Sequence, residues 1–341
     1  MKNVHVRAVV LAAGQGRRLR PLTDFLPKPL VPVRGQPVAA RTIEELARAG
    51  CRAVAVNLFH RGDDVRQALG DEQAGIPITY SQEAPQETLL LGTLGALWPL
   101  REFVRPADLV VIVNGDSLCR WPIKRLIRHH QRHRAASTLL VSKSIDPRPF
   151  GGGITVGTRG RVVSMRPTQP RSQDEHCRLF MGAHVFSPEL LGRLKQGPAN
   201  FVPDLYEPMI AKGEMISSVS TRRRWHDLGT PQRYLAGVLA WGRKRGWVSP
   251  RADVARRVKL RRAVIEAGVR IEAGCEISGA VILEGARIGK GSRVRSSIVG
   301  PAVELPANTS VDGRMVTVVR EGDEDAKGAS VLVAGLRFKE I

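Results

Sequence analysis

Two glycines, three arginines and one lysine crowd into VVLAAGQGRRLRPLTDFLPKPLVPV, the stretch from Val9 to Val33. Gly14 and Gly16 let the backbone come close to a bound group and aim its N–H donors at it. Arg17, Arg18 and Arg20 add cations beside those donors, so a polyphosphate is the natural guest. Pro27-Lys28-Pro29 stiffens the chain on both sides of Lys28, which suits an ammonium held at a set distance from phosphates. A G-x-G after a strand is also a common loop and says little by itself. LVVIVNGDSL ends its apolar run at Val113 and presents Asn114, Gly115 and Asp116 where a strand should stop, and an aspartate there is equally an ordinary turn former.

The order LAAG-x-G-x-R-L-R-P-L-T followed, after a short turn, by K-P-L-V-P-V closely resembles the signature of the sugar-1-phosphate nucleotidylyltransferases, also called nucleotide-sugar pyrophosphorylases. It differs from G-x-x-x-x-G-K-[ST], because the lysine does not directly follow the glycines, and from the dinucleotide G-x-G-x-x-G spacing. The resemblance implies that Leu11, Ala12, Ala13, Gly14 and Gly16 bind the nucleotide, that Arg18 steadies the leaving phosphates, and that Lys28 contacts the α-phosphate and the incoming phosphate. Asp116 in N-G-D and Asp227 in W-H-D-L-G-T-P match the family's two ligands for Mg2+, a cation that combines few carboxylates with substrate phosphates.

Within Ser81 to Leu97, the L-G-T-L-G-A core containing Gly92 and Thr93 is similar to the family segment that lines the base and ribose. Gln82 or Glu83 could supply edge hydrogen bonds to a base, or belong to an ordinary loop leading into a helix. FGGGITV and FMGAHVF resemble the sugar-binding half, in which Gly152 and Gly182 would approach the sugar and Arg166 would grip its phosphate. Met165 stands where the family's E-K-P strand has a glutamate for sugar hydroxyls, so the family pattern does not fix the sugar here.

A chain of 341 residues, 43% of them apolar, is long enough for about two domains and a sizeable core. Cys51, Cys119, Cys177 and Cys275 are scattered and form no C-x-x-C, which points to neither a disulfide framework nor a zinc site and fits a reducing cytoplasmic setting. No apolar run is long enough to span a bilayer, and the N-terminus enters the phosphate loop without a cleavable apolar segment. The net charge of +21 invites a nucleic-acid reading. Arginine is spread along the whole chain, and the basic clusters Lys124–Arg134, Arg222–Arg224 and Arg256–Arg262 carry no interleaved aromatics to stack on bases, which argues against a specific nucleic-acid site.

The elements that must position these residues alternate. Helical patterns at Pro37–Ala49, Asp63–Leu69, Thr93–Leu100 and Ile123–Arg134 interleave with strands at Ala53–Leu58, Ile76–Tyr80, Leu109–Val113 and Thr138–Val141. That order predicts an α/β, Rossmann-like, mainly parallel sheet with ligands at the carboxyl ends of its strands. Further on, a helix is expected from Pro188, another over Asn200–Lys212, a strand over Met215–Val219 and a helix from Pro231 to about Arg245.

From about residue 251 to 313, Ile265, Ile271, Ile277 and Leu283 recur every six residues with glycines between them, a pattern that predicts a short left-handed hexapeptide β-helix of roughly three coils. The expected domains are thus 1–245 (catalytic), 251–313 (β-helix) and 314–341 (C-terminal extension), with the β-helix supporting assembly into a homo-oligomer or capping the catalytic domain. Many hexapeptide-repeat proteins are acyltransferases that need a histidine base, but the last histidine, His226, precedes the repeats. The resemblance implies transfer of a nucleotidyl group from a nucleoside triphosphate to a sugar 1-phosphate, with a mannose-1-phosphate guanylyltransferase-like pair as the expectation. The alternatives are uridylyl or thymidylyl transfer to another sugar 1-phosphate, and a regulatory homologue without catalysis. Arg18, Lys28, Asp116 and Asp227 are all intact, which argues against the last.

Overall fold

The computed structural model describes residues 4–83, 90–133, 135–166, 173, 175–242, 246–319, 330–333 and 335–341. The expected end of the helix near Arg245, the close of the E-K-P-like strand at Pro167 and the centre of the Ser81–Leu97 segment lie outside these residues. The chain divides into two compact units, Met1–Gln15 with Ala39–Trp225, and Gly16–Val38 with His226–Ile341.

The first unit is built on one sheet. β1 (Val6–Leu11), β2 (Ala53–Leu58), β3 (Ile76–Gln82), β4 (Leu109–Asn114), β5 (Ser137–Ser142), β6 (His176–Phe186) and β7 (Ile216–Thr221) run across it in the order β7-β5-β6-β4-β1-β2-β3. β1 pairs parallel with β2 and β4, and β2 with β3, as βαβ connections require. β6 alone on this path runs antiparallel to both its neighbours, and its register shifts between Phe180 and His184. β4 is a nearly continuous run of buried leucine, valine and isoleucine, and β1 buries Val6, Ala8, Val9 and Val10 beside it, the composition of strands covered on both faces. Helices α1 (Val38–Ala49), α2 (Gly62–Leu69) and α3 (Ile123–His133) form where the apolar period of 3.6 predicts them.

Three expected helices differ. Where Thr93–Leu100 is expected the α-helix spans only Gly92–Gly95, and the segment from Pro188 is a 3-10 helix to Arg193. Phe201–Tyr206 is a π-helical turn that runs into α-helix at Glu207–Ala211. Pro203 and Pro208 each lack a backbone donor in that stretch, so a regular i to i−4 ladder has no full set of N–H groups to use.

In the second unit the repeats form a β-helix with three parallel faces. One face stacks Gly246–Val248, Ala263–Ile265, Val281–Ile282, Ile298–Val299 and Arg314–Val318; the other two carry four rungs each. The rungs make four coils, one more than the repeat pattern suggests. Ile265 pairs with Ile282 and Ile282 with Val299, so each coil advances 17 residues by steps of six, six and five. The inward stack therefore runs Ile265, Ile271, Ile277, Ile282, Ile288, Val294 and Val299, all buried, and Leu283 is not its fourth member. Helix α4 (Pro231–Ala240) lies against the rungs Ala263–Ile265 and Val281–Ile282. The C-terminal strands Ser330–Val333 and Leu336–Glu340 add an antiparallel hairpin to Arg314–Val318.

Candidate active site

At the carboxyl ends of β1, β2, β3 and β4 the first unit holds a cavity of about 220 Å³. Leu11, Ala13 and Leu90 give it apolar walls, Gly14, Gly92 and Thr93 give backbone surface, and Asn57, Glu83, Asn114 and Asp116 bring polar groups. A larger cavity, about 660 Å³, is bordered by Leu190, Leu194, Leu205 and Met209 and contains none of the expected site residues. Size alone does not mark the site; converging chemistry does.

The strand-end cavity is tied together by side chains. Ala12 N–H donates to Asn57 Oδ1 at 2.7 Å, Asn57 Nδ2 donates to Glu83 Oε1 at 2.8 Å, and Leu91 N–H donates to Glu83 Oε2 at 2.9 Å. Glu83 is 2% exposed, and both its oxygens are engaged in fixing loops, so it acts as a brace rather than as a base-edge acceptor. Gln82 lies outside the lining; its Nε2 donates to the carbonyls of Phe59 and Glu83. Gly92 has φ +71, and a Cβ there would come within 2.5 Å of Ala199 O, so glycine is required. Thr93 N–H donates to Asn200 Oδ1 at 3.1 Å, which holds the one-turn helix in place. Asn57, Asn114 and Asn200 were not site candidates in their own right, although Asn114 opens the N-G-D motif. The first two could have been found as polar residues ending buried strands on the carboxyl side.

On the sugar-side candidates, Gly182 has φ +76 at the register shift of β6, and a Cβ would meet Asn114 Nδ2 at 2.6 Å. A side chain there would push Asn114 out of the cavity wall. Gly152, φ +102, sits in the turn before Ile154–Val156 and lines neither of these two cavities. Arg166 is exposed and pairs with Glu207, Nε to Oε1 at 2.7 Å and Nη2 to Oε2 at 3.1 Å, which holds the guanidinium pKa above its ordinary value. Met165 is 7% exposed and packs in the core with Tyr206 and Met209, so it offers no group to a sugar hydroxyl.

The remaining candidates belong to the second unit. Gly16, φ +65, accepts from Thr23 Oγ1 at 2.9 Å and opens the 3-10 turn Arg17–Leu19, whose Leu19 is buried while Arg18 is exposed. Lys28 is 8% exposed in the proline-flanked turn Lys28–Leu30. Asp227 Oδ2 pairs with Arg233 Nη1 at 2.6 Å. A Cβ on Gly229 would lie 2.8 Å from Asp227 Oδ1 and 3.3 Å from Arg18 Nη2, so a glycine is what lets carboxylate and guanidinium share that corner. Among the described residues no group of three or more His, Cys, Asp or Glu gathers around one point. Asp116 and Asp227 each offer carboxylate oxygens, the hard donors that Mg2+ takes beside phosphate and water.

A family model for nucleotidyl transferases matches residues 7–241. The chain belongs to the nucleotidyl transferase family. A second model, the GlmU-like C-terminal hexapeptide, matches residues 247–322. It is similar to a mannose-1-phosphate guanyltransferase of Aspergillus oryzae, 29% identical over 248 residues covering 69% of this chain and 64% of that protein. The mannose-1-phosphate guanylyltransferase catalytic subunit beta of Danio rerio is 28% identical over 239 residues, again 69% and 64%. The match thus spans about 64% of the length of these curated relatives. Among solved structures, HddC from Yersinia pseudotuberculosis aligns with TM-score 0.58 at 20% identity over 69% of this chain and 99% of that one. A putative glucose-1-phosphate thymidylyltransferase from Bacillus anthracis gives TM-score 0.58 at 20% identity over 68% and 94%. These structural likenesses bear on the fold. No helix among the described residues is long and apolar enough to cross a membrane.

Proposed function

We propose that this protein is a sugar-1-phosphate nucleotidylyltransferase that uses GTP and mannose 1-phosphate. The observation that carries this reading is the strand-end cavity lined by the LAAG turn, Gly92-Thr93 and Asp116. Its apolar walls and glycine backbone suit a flat base and ribose. The relatives named mannose-1-phosphate guanylyltransferases support the choice of base and sugar.

An oxygen of the sugar phosphate forms a bond to the α-phosphorus while the bond to the β-phosphate oxygen breaks, and the electron pair leaves with pyrophosphate. No covalent enzyme intermediate is needed, so the chain's work is positioning and charge neutralisation. Gly14 and Gly16 present backbone donors to the phosphates, Arg18 neutralises the departing pyrophosphate, and Lys28 holds the α-phosphate against the incoming oxygen. Arg166 would grip the sugar phosphate through its planar fork. Asp116 and Asp227 would hold Mg2+, which when bound supplies positive charge to the phosphate oxygens.

A panel of nucleoside triphosphates against sugar 1-phosphates, read by pyrophosphate release, tests the proposal. The highest kcat/KM is expected for GTP with mannose 1-phosphate. A different best pair would correct the substrate, and no release with any pair would overturn the enzymatic reading.

A further inference from the structure

The signature segment Gly16–Val38 packs in one compact unit with the β-helix, and one buried carboxylate accounts for how its far end is held. Pro32 pairs antiparallel with Pro37, and Val33 N–H donates to Gln36 O at 2.9 Å. Arg34 and Gly35 between them have φ +55 and +78, the left-handed pair of a two-residue type I′ hairpin. Gly35 N–H at the tip donates to Glu266 Oε2 at 2.7 Å. The ring of Trp247 stands 3.0 Å from where a Cβ on Gly35 would be, and Tyr234 OH donates to Pro32 O at 2.8 Å. Burial lowers the pKa of Arg34, and the charge of Glu266 opposes that shift.

Glu266 is 2% exposed, on the coil turn that follows Ala263–Ile265. Burying a carboxylate is costly unless it is paired and hydrogen-bonded. The β-helix does not require one there: one coil on, the same position is Leu283, fully buried. The hairpin tip, with its N–H and its arginine, is what a carboxylate at 266 serves. Between that tip and Lys28 the chain reads Lys28-Pro29-Leu30-Val31-Pro32, with Val31 N–H closing on Lys28 O at 3.3 Å and Val38 N–H on Val31 O at 3.2 Å. Prolines and turn hydrogen bonds leave few soft torsions, so a shift of the tip is passed on to Lys28.

We propose that Glu266 of the β-helix is a positioning residue for nucleotidyl transfer: it holds the Arg34-Gly35 tip and thereby sets the place of Lys28. This rests on the proposed role of Lys28. The β-helix is then part of what aligns the reacting phosphates as well as a terminal module.

The test uses the full chain with the best pair from the substrate panel. Glu266→Leu copies Leu283 one coil on and is expected to keep the thermal midpoint within a few degrees. It should lower kcat by about 10- to 100-fold, the range set by misplacing a reacting group, with KM for the sugar 1-phosphate changed less than about threefold. Glu266→Gln, which keeps an acceptor oxygen for Gly35 N–H, should recover most of the rate. In a Lys28→Ala background Glu266→Leu should add less than about twofold, because two residues acting through one group are not additive. A folded Glu266→Leu protein with wild-type kcat, or a full Glu266 effect persisting without Lys28, would overturn the proposal. If Lys28→Ala alone kept the wild-type rate, the role of Lys28 would fail first and Glu266 with it.

Discussion

Asn57 faces Glu83 across 2.8 Å with its carboxamide N–H towards the carboxylate, while its oxygen takes the N–H of Ala12. Asn57 is the penultimate residue of β2 and Glu83 directly follows β3, so one buried bridge joins the LAAG turn to the loop at Leu91. Both hydrogen bonds to the Glu83 oxygens come from N–H donors. Glu83→Gln would turn one acceptor into a donor against another donor, leaving a buried group unpaired at a cost of about 1–3 kcal/mol. The expected outcome is weaker triphosphate binding, about tenfold by calorimetric titration, with a lowered thermal midpoint. Unchanged affinity and midpoint would refute the brace.

The two aspartates carry a metal prediction. Asp116→Asn and Asp227→Asn should each lower pyrophosphate release by about 10² to 10³, the size expected for losing a charge contact at a reacting phosphate. Far-UV circular dichroism should stay the same, since Asp116 is partly exposed and the partner of Asp227, Arg233, remains 28% exposed to water. Full wild-type activity in excess chelator would remove the assignment.

How far the sequence was legible depends on whether the deciding contacts are local. β2 at Ala53–Leu58 and α2 at Gly62–Leu69 follow directly from hydrophobic period and stop signals. The coil length of the β-helix does not, because Ile282 and Leu283 are both apolar and buried, and only the pairing of Ile265 with Ile282 decides which one stacks inward. Nor does local pattern show that Gly16–Val38 packs with His226–Ile341, since a buried glutamate at 266 acquires its meaning from Gly35, far away in the chain. Arg18, Lys28, Asp116 and Asp227 stand in recognisable motifs, whereas Asn57 looked like one more residue of a buried strand.

Arg166 gives a prediction about the second substrate. Its fork is bidentate to Glu207 across an exposed surface, where water and salt screen the pair and leave it little weight in the stability of the fold. Arg166→Ala should therefore leave the thermal midpoint nearly unchanged while raising KM for the sugar 1-phosphate strongly and that for the triphosphate little. Arg166→Lys should recover part of the loss through charge without the planar fork. A rise confined to the triphosphate would mean that Val162–Arg166 lies against the wrong substrate.

The β-helix corners allow a prediction of opposite sign. Gly268, Gly285 and Ala302 recur at one corner, 17 residues apart, with φ +66, +72 and +53. Alanine in the left-handed region costs about 1–2 kcal/mol, only part of which glycine returns through its more mobile unfolded chain. Ala302→Gly should stabilise the protein by about 0.5–1 kcal/mol in urea unfolding, and Gly285→Ala should destabilise it by a similar amount.

Two buried histidines set the response to acid. Burial is the main cause that lowers His130 to about 4, with neighbouring His129 adding to it, and burial lowers His184 to about 3. His130 Nδ1 lies 3.0 Å from Thr138 Oγ1, and His184 shares a hydrogen bond with Tyr206 OH, so both are held neutral in the core. In the unfolded chain each binds its proton near pH 6.5, while the native state still excludes it. Stability is therefore full above about pH 6.5 and falls as pH drops, until each native histidine also titrates. For His130 that window runs from about 6.5 down to 4 and is worth about 3 kcal/mol. It lies largely above the ordinary carboxylate range, which separates it from acid unfolding driven by aspartate and glutamate. Urea midpoints at pH 7.5, 6.0 and 5.0 should decline steadily for the wild type. His130→Gln removes one titrating group from both states, so whatever its stability at pH 7.5, its decline with pH should be shallower by about one proton. A wild-type midpoint that stays level from pH 7.5 to 5.0 would show that the two imidazoles are not kept neutral in the native core.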